Sequence, residues 1–414
     1  MSTAARPPDT PPSWLPLPED TGFGLDNLPY GVFAPPGRQP RVGVAVGDQV
    51  LDLAAALGDP VFARPSLNAF MAQGRARWRR TRADVVDLLT DSRHRPAVLP
   101  ALCPVDSVAL LLPFEVADYV DFYASREHAT NLGRILRPNS EPLLPNWAHL
   151  PVGYHGRAGT VVVSGTPVVR PCGQRRGDPT PTFGPSSRLD IEAEVGFVVG
   201  TPSRLGVPVP ASAFAEHVFG VVLVNDWSAR DIQAWEYQPL GPHLGKSFAT
   251  SISPWVVPLD ALAAARVRPP RHHPQPLPYL RCDQPWGLDL TLAVWLNGHR
   301  VSAPPFAGMY WTGAQQLAHL TVNGASLRTG DLLASGTVSG PEHDQRGSLI
   351  ELSWNGAEPL ELPDGSTRAF LRDGDTVTIT ATAPGTGGGR IGFGAVTGTV
   401  LPARSARSAH GAGS

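Results

Sequence analysis

Apolar positions along this chain fall in short β-branched runs more often than in helical stripes. Phe219-Gly-Val-Val-Leu-Val224 is the clearest run, and it ends at Asn225-Asp226. This pattern predicts a buried strand whose C-terminal end presents Asp226 at a polar turn, with a fixed backbone behind it. Residues 189–200, L-D-I-E-A-E-V-G-F-V-V-G, alternate instead. Ile191, Ala193, Val195 and Phe197 take one strand face. Glu192 and Glu194 take the other, roughly 7 Å apart. Carboxylates so placed repel unless water screens them or a cation sits between them.

The remaining elements follow in order. Arg41–Val46 and Gln49–Leu53 read as a hairpin across a Gly47-Asp48 turn. Pro65–Leu89 reads as helical, with Leu67, Phe70, Met71, Trp78, Val85, Val86 and Leu89 facing the core. Its arginines, Arg75, Arg77, Arg79, Arg80 and Arg82, read as a solvated helix face rather than a nucleic-acid patch, because few aromatics interleave them. Asp118–Tyr123 reads as extended, which puts Asp121 and Tyr123 on one face. Ser125 is then a helix N-cap and His128 lies in the first turn. A helix N-terminus disfavours imidazolium, so His128 there suits a neutral general base, or simply completes a capped helix start. Strands are expected at Thr160–Ser164, Leu288–Leu296 (followed by an Asn297-Gly298 turn) and Ser348–Trp354, and Leu327–Thr337 reads as a turn, a strand and a loop. A helix is expected over Trp311–Leu320. Glu351 falls among apolar neighbours, where a carboxylate is costly unless it is paired or functional.

Composition narrows the classes. The chain has 414 residues, 42% hydrophobic and 17% charged, with a net charge of -2. No global field draws nucleic acid or anionic membrane, and no stretch approaches the ~20 apolar residues of a membrane helix. Without an apolar signal core at the N-terminus, a cytoplasmic location is expected. Cys103, Cys172 and Cys282 form no C-x-x-C pair, which argues against structural zinc and against a disulfide framework. With 45 Pro and 43 Gly, turns and short strands should outnumber long helices. Gly387, Gly389 and Gly392 match a dinucleotide-binding spacing, but a strand-like run follows them instead of a helix, so they read as a hairpin or bulge. His272-His273 reads as a loop without metal partners.

One residue count bears on chemistry. Among 34 Lys plus Arg, Lys246 is the single lysine. A compact, pKa-tunable charge retained where arginine fills every other cationic position suggests a site that arginine cannot fill. The acidic groups outside ordinary surface context are Asp121, Glu192, Glu194, Asp226 and Glu351. A site of carboxylates favours a hard cation over zinc.

The motifs themselves resemble the fumarylacetoacetase family. N-L-P-Y-G-V-F at 27–33 and P-R-V-G-V-A-V-G-D-Q-V-L-D-L at 40–53 are similar to its N-terminal domain. D-Y-V-D-F-Y-A-S-R-E-H-A-T-N-L-G at 118–133, P-N-W-A-H-L-P-V-G-Y-H-G-R-A at 145–158 and N-D-W-S-A-R-D-I-Q at 225–233 carry the likeness onward. L-G-K-S-F-A-T at 244–250, G-D-L-L-A-S-G-T-V-S-G-P-E at 330–342 and R-I-G-F-G at 390–394 complete it. Ala249 stands where some members have glycine. The 170–187 loop and both tails show no match.

The resemblance implies a mainly β (α+β) fold. A small N-terminal β-barrel-like domain at 15–113 would precede a catalytic, metal-binding β-roll domain at 114–403, with mobile tails at 1–14 and 404–414. It implies Ca²⁺ held by Asp121, Glu192, Glu194 and Asp226. A second, Mg²⁺-like cation would sit at Asp226 with Lys246 and Thr250 beside it, through backbone or hydroxyl oxygen. His128 matches the catalytic base and Glu351 the carboxylate that orients it. Arg137, Gln233 and Lys246 match the oxyanion stabilisers. Tyr123, Arg137, Tyr154, Gln233, Tyr237 and Thr337 match substrate contacts. The implied reaction is hydrolysis of the C–C bond of fumarylacetoacetate, a β-diketo acid, to fumarate and acetoacetate at the end of tyrosine and phenylalanine breakdown, by a homodimer. An acylpyruvate hydrolase or oxo-acid hydratase of the wider superfamily, or a non-catalytic metal-binding scaffold, are the competing classes. The N-terminal domain and the His128–Glu351 pair speak against the first, and the complete ligand and base set against the second.

Overall fold

The computed structural model describes residues 12–18, 21–386 and 388–404. Most of both expected tails, and Gly387 of the glycine motif, lie outside the described residues. Ser13 and Trp14 are within them: the Ser13 hydroxyl donates to the Leu89 carbonyl and Trp14 Nε1 to that of Leu88.

One 13-stranded sheet runs through the whole molecule. Its N-terminal strands are β1 (Tyr30–Ala34), β2 (Arg41–Val46), β3 (Gln49–Asp52) and β4 (Leu102–Pro104). The C-terminal portion contributes β5 (Tyr119–Phe122), β6 (Gly153–His155), β7 (Ala193–Val199), β8 (Val218–Asp226), β9 (Trp255–Pro258) and β10 (Leu332–Ala334). The main order is β4-β3-β2-β1-β9-β8-β7-β10-β5-β6. The N-terminal strands form no closed barrel. Instead β1 pairs antiparallel with β9, Tyr30 opposite Val256 and Gly31 opposite Trp255.

Alternation explains how this sheet is buried on both sides. Ala193, Val195 and Phe197 of β7, with Val221 and Leu223 of β8, enter the C-terminal core. Val198, Val222 and Val224 point the other way, into the core built on the N-terminal strands and helix α1 (Arg75–Thr90). A sheet covered on both faces needs near-continuous apolar runs, which is what β8 has. A smaller sheet includes Thr291–Leu296, His299–Ser302, Thr376–Pro384 and Val396–Leu401. Its first hairpin turns through Asn297 and Gly298, both at positive φ, as the Asn-Gly signal predicts.

Two expected elements change. The helix expected over 65–89 is broken: Asn68–Met71 forms one turn, and Gly74 at φ +82° redirects the chain before α1 begins. Arg79 and Arg80 of α1 are exposed, as a solvated face requires, while other arginines are tied down. Arg75 pairs with Glu216 at 2.6 Å, Arg79 with Asp260 at 3.0 Å, and the Arg82 guanidinium donates to the carbonyls of Leu25, Asp26 and Asn27. The strand expected at 348–354 is instead a single helical turn, Leu349–Leu352. S-L-I-E-L-S lacks strict alternation, and the Asp190 carboxylate accepts the Leu349 and Ile350 N–H groups that a strand would need to pair. The helix expected over 311–320 is present as Gly313–Thr321, closed by a Thr312–Gln315 capping box.

The β1–β9 junction depends on a residue without a side chain. A Cβ at Gly31 would lie 2.5 Å from the Trp255 ring and 2.7 Å from the Pro254 carbonyl oxygen. Gly31→Ala should therefore destabilise the protein by about 1–3 kcal/mol, as overpacking does. Denaturant unfolding checks this; an unchanged midpoint would show that the junction yields freely.

Candidate active site

Four carboxylates converge where the apolar rows of the sheet turn acidic. Asp121 lies on β5, Glu194 on β7 and Asp226 at the end of β8. Glu192 lies just ahead of β7, where its carbonyl accepts the Asp226 N–H at 3.1 Å. All four are buried, and each offers an oxygen within 4.8 Å of the others. The alternation that sends Ile191, Ala193 and Val195 into the core is what aims Glu192 and Glu194 together.

Two buried cations meet this cluster. The Lys246 ammonium contacts Glu192 and lies 2.8 Å from Asp226. The Arg230 guanidinium pairs with Glu192 at 2.8 Å and with Asp190 at 2.8 Å. Hydroxyls also reach in. Tyr154 donates to Asp121 at 2.6 Å, and Thr250 donates to Asp226 at 3.1 Å.

The electrostatics differ sharply among the four. Burial, with Asp226 adding repulsion, pushes the Asp121 carboxyl well above the ordinary carboxylate range. Burial with Asp121 and Glu192 does the same to Glu194. Asp226 is raised by burial, and Lys246 opposes the rise. Burial also opposes ionisation of Glu192, but Lys246 and Arg230 outweigh it and hold this carboxyl below its usual range. Lys246 itself is raised, because Asp226 and Glu192 outweigh its burial.

The donor set fits a hard cation. Asp121 Oδ1 and Glu194 Oε1 are buried with no hydrogen-bond partner among the described residues. Their partner oxygens are engaged, Asp121 Oδ2 by Tyr154 and Glu194 Oε2 by the Gly336 N–H at 3.2 Å. Orphaned oxygens on clustered carboxylates are ligands of the kind a hard divalent cation takes. The cluster can therefore hold a metal ion. A cavity of about 350 Å³, lined in part by Tyr154, His155, Asp226, His243 and Lys246, opens onto it.

Beside the cluster lies a buried histidine–carboxylate pair. Ser125 caps helix α2 (Arg126–Leu136) by accepting the His128 N–H, as the sequence predicts. His128 Nδ1 stands 2.7 Å from Glu351 Oε2. Glu351 is held from every side: Asn131 donates to Oε1 at 2.9 Å, and Ser348 and Ser339 donate to Oε2 at 2.7 and 3.0 Å. Burial opposes its ionisation, but His128 and these donors bring it below the ordinary range. With Nδ1 committed to Glu351, His128 Nε2 faces the cluster, 3.9 Å from Glu192. The Tyr123 ring packs edge-on against His128 at 5.4 Å.

The other expected residues spread outward. Gln233 accepts from Arg230 at 3.1 Å, one turn along helix α3 (Arg230–Glu236). Thr337 is buried with a hydroxyl that has no hydrogen-bond partner among the described residues. Arg137 ends α2, donates to the Pro142 carbonyl at 2.9 Å and keeps a buried, unpartnered Nε. Tyr237 lines a separate cavity of about 770 Å³ together with Arg175, Arg176 and Arg188. Among the described residues, no hydrogen bond or ion pair joins Arg137 or Tyr237 to the carboxylates. Arg230 and Asp190 are buried site residues that sequence reasoning missed. The i, i+3 spacing of Arg230 and Gln233 on one helix was the available signal.

Comparison with known proteins agrees with this geometry. Residues 26–113 match the family model described as Fumarylacetoacetase N-terminal, and residues 118–401 match Fumarylacetoacetate (FAA) hydrolase C-terminal. The chain is 50% identical over 415 residues to a fumarylacetoacetase of Homo sapiens, covering 94% of this chain and 99% of that relative. It is 44% identical over 423 residues to one of Dictyostelium discoideum, covering 94% and 98%. Among solved structures, a fumarylacetoacetate hydrolase from psychrophilic Exiguobacterium antarcticum superposes with a TM-score of 0.55 at 19% identity, covering 91% of this chain and 100% of that one. At that identity the superposition speaks for the fold alone.

The raised carboxyls give the metal site a measurable signature. Burial and mutual repulsion make Asp121, Glu194 and Asp226 give up their protons less readily than ordinary carboxyls, and a cation competes with those protons, so loading should release protons and weaken as pH falls. Calorimetry of Ca²⁺ binding in two buffers of different ionisation enthalpy reads this directly. Binding without net proton release would contradict the proposed electrostatics. At a hundredfold excess over Kd, a divalent cation bound there should stabilise the fold by about 2.7 kcal/mol.

Proposed function

We infer the chemistry from one premise: this chain belongs to the fumarylacetoacetase family, with that family's N-terminal and C-terminal domains in order. It is a hydrolase that cleaves the C–C bond of fumarylacetoacetate, giving fumarate and acetoacetate. The observation that carries the reading is the His128–Glu351 pair opening toward four buried carboxylates.

The proton path follows from the pair. Glu351 accepts from His128 Nδ1–H, which fixes the tautomer and leaves Nε2 as the basic nitrogen. Nε2 takes a proton from water, and the hydroxide oxygen bonds to the fumaryl-side carbonyl carbon. As the C–C bond breaks, its electron pair passes to the acetoacetate fragment, and imidazolium returns the proton to that carbon. Water is thereby split between the products. Asp121, Glu192, Glu194 and Asp226 would hold Ca²⁺, and Asp226 with Thr250 and a Lys246 backbone oxygen a second, Mg²⁺-like ion. When bound, such a cation supplies Lewis acidity toward the substrate's diketone oxygens. The Lys246 ammonium is engaged by Glu192 and Asp226, which supports a charge-setting part in the site and agrees with its side chain being no ligand. Arg137, Gln233 and Lys246 place positive charge and donors toward the developing oxyanion. Tyr123, Tyr154, Tyr237 and Thr337, with Arg137 and Gln233, contact the small β-diketo acid. The unpartnered Thr337 hydroxyl and Arg137 Nε support this, since each has capacity to give. A cytoplasmic homodimer divided at 113/114 completes the reading. No helix among the described residues is long and apolar enough to cross a membrane.

Incubation with fumarylacetoacetate, following loss of diketone absorbance with Ca²⁺ or Mg²⁺ and again after chelation, tests the reaction. Metal-dependent loss with fumarate appearing is the expected result. Cleavage of acylpyruvates alone would move the activity elsewhere in the superfamily. His128→Ala and Glu351→Gln should each lower kcat by about 10²–10⁴ while Ca²⁺ still binds; near-native turnover of His128→Ala would remove it from the base role.

A further inference from the structure

Asp190 is fully buried and uses both its oxygens twice. Oδ1 accepts the Ile191 N–H and the Leu349 N–H, each at 2.7 Å. Oδ2 accepts the Ile350 N–H at 3.1 Å and Arg230 Nε at 2.8 Å. These partners belong to separate parts of the site. Leu349 and Ile350 open the single helical turn that carries Glu351. Arg230 opens α3, pairs with Glu192 and holds Gln233.

A four-residue helical turn has no length from which to draw rigidity. The Ser348 side chain makes no cap bond to it and instead donates to Glu351. The turn's first N–H groups are therefore satisfied from outside, by a carboxylate on the strand segment Leu189–Asp190, which pairs with Ser228–Ala229 just before α3. That segment is continuous with Glu192. Asp190 thus lies on the path between the element that aims the carboxylate of the base pair and the element that supplies the metal cluster's guanidinium.

Resting on the hydrolase reading above, we propose that Asp190 is a positioning residue: a buried clamp that sets the Glu351 turn in register with Arg230, so that His128 Nε2 and Glu192 face one substrate. It touches neither substrate nor metal and acts through Glu351 and Arg230. An asparagine in its place has one acceptor oxygen and must present an NH₂ to donors that have no use for it, so the turn loses its external cap while the side-chain volume is kept.

The test is Asp190→Asn in the full chain. kcat for fumarylacetoacetate should fall about 10–100-fold, the cost typical of removing an orienting partner, while KM changes little. On a Glu351→Gln background the same substitution should cost several-fold less than it does alone, because the part of its effect that runs through the His128–Glu351 pair is already lost and only the Arg230 part remains. Multiplicative losses in the double variant, or native kcat in the single one, would overturn the proposal. A second readout needs no turnover: the downfield proton resonance of the His128–Glu351 hydrogen bond should move in Asp190→Asn and stay in place in a surface variant such as Asp364→Asn. An unmoved resonance in folded Asp190→Asn overturns the clamp even if the wild-type protein proves inert toward fumarylacetoacetate. A moved resonance upholds it while the reaction itself is reassigned. If Asp190→Asn does not fold, Asp190→Glu, which keeps the carboxylate, is read by the same resonance and the same kcat-to-KM split, with the same outcomes deciding.

Discussion

Mutual repulsion among four buried carboxylates is the constraint around which this molecule is arranged. Two unit charges about 4 Å apart at a protein-like effective dielectric interact by about 4 kcal/mol, and Asp121, Glu192, Glu194 and Asp226 crowd closer than 4.8 Å. Crowding opposes their ionisation, and three of the four are shifted in that direction. Glu192 escapes because Lys246 and Arg230 both bear on it. Arg230 is shared with Asp190, so the protein's own cations cannot neutralise the cluster. A divalent ion held there could supply the charge the chain withholds.

The same crowding separates two kinds of acid chemistry at short range. Glu351 is surrounded by donors and stays ionised, which suits it to orient an imidazole. Asp121 and Glu194 each keep one oxygen with no donor among the described residues, which suits them to a cation. Neighbouring carboxylates thus differ in character through the charges and hydrogen-bond donors around each. His128 stands between the two environments, one nitrogen on Glu351 and the other toward Glu192.

Rigidity behind the site comes from burying its sheet twice. Val198, Val222, Val224 and Leu332 pack under the N-terminal strands and α1, while their alternating neighbours fill the C-terminal core. The N-terminal portion therefore acts as the second wall of the catalytic sheet, joined through β1–β9 and stitched by Arg75 and Arg79 to Glu216 and Asp260. Exposed ion pairs of that kind contribute little individually, so the apolar face dominates the attachment.

Local rules read the sequence well wherever one element decides the outcome. Alternation at 189–200 aimed Glu192 and Glu194 to one side, the run at 219–224 placed Asp226 at a strand end, and Ser125 announced the helix that carries His128. The lone lysine pointed to a site no arginine could fill, and Lys246 does sit between Glu192 and Asp226. What local rules could not supply was anything set by a distant partner. Ser348–Ser353 has no strong period of its own, so the Asp190 carboxylate, far off in sequence, turns it into a helical turn and thereby aims Glu351. Arg230 is an unremarked arginine in the chain and becomes a buried ion partner only because β7 and β8 bring Glu192 beside it. Tertiary structure decided these because charge neutralisation and capping act through space, while propensity and periodicity act along the chain.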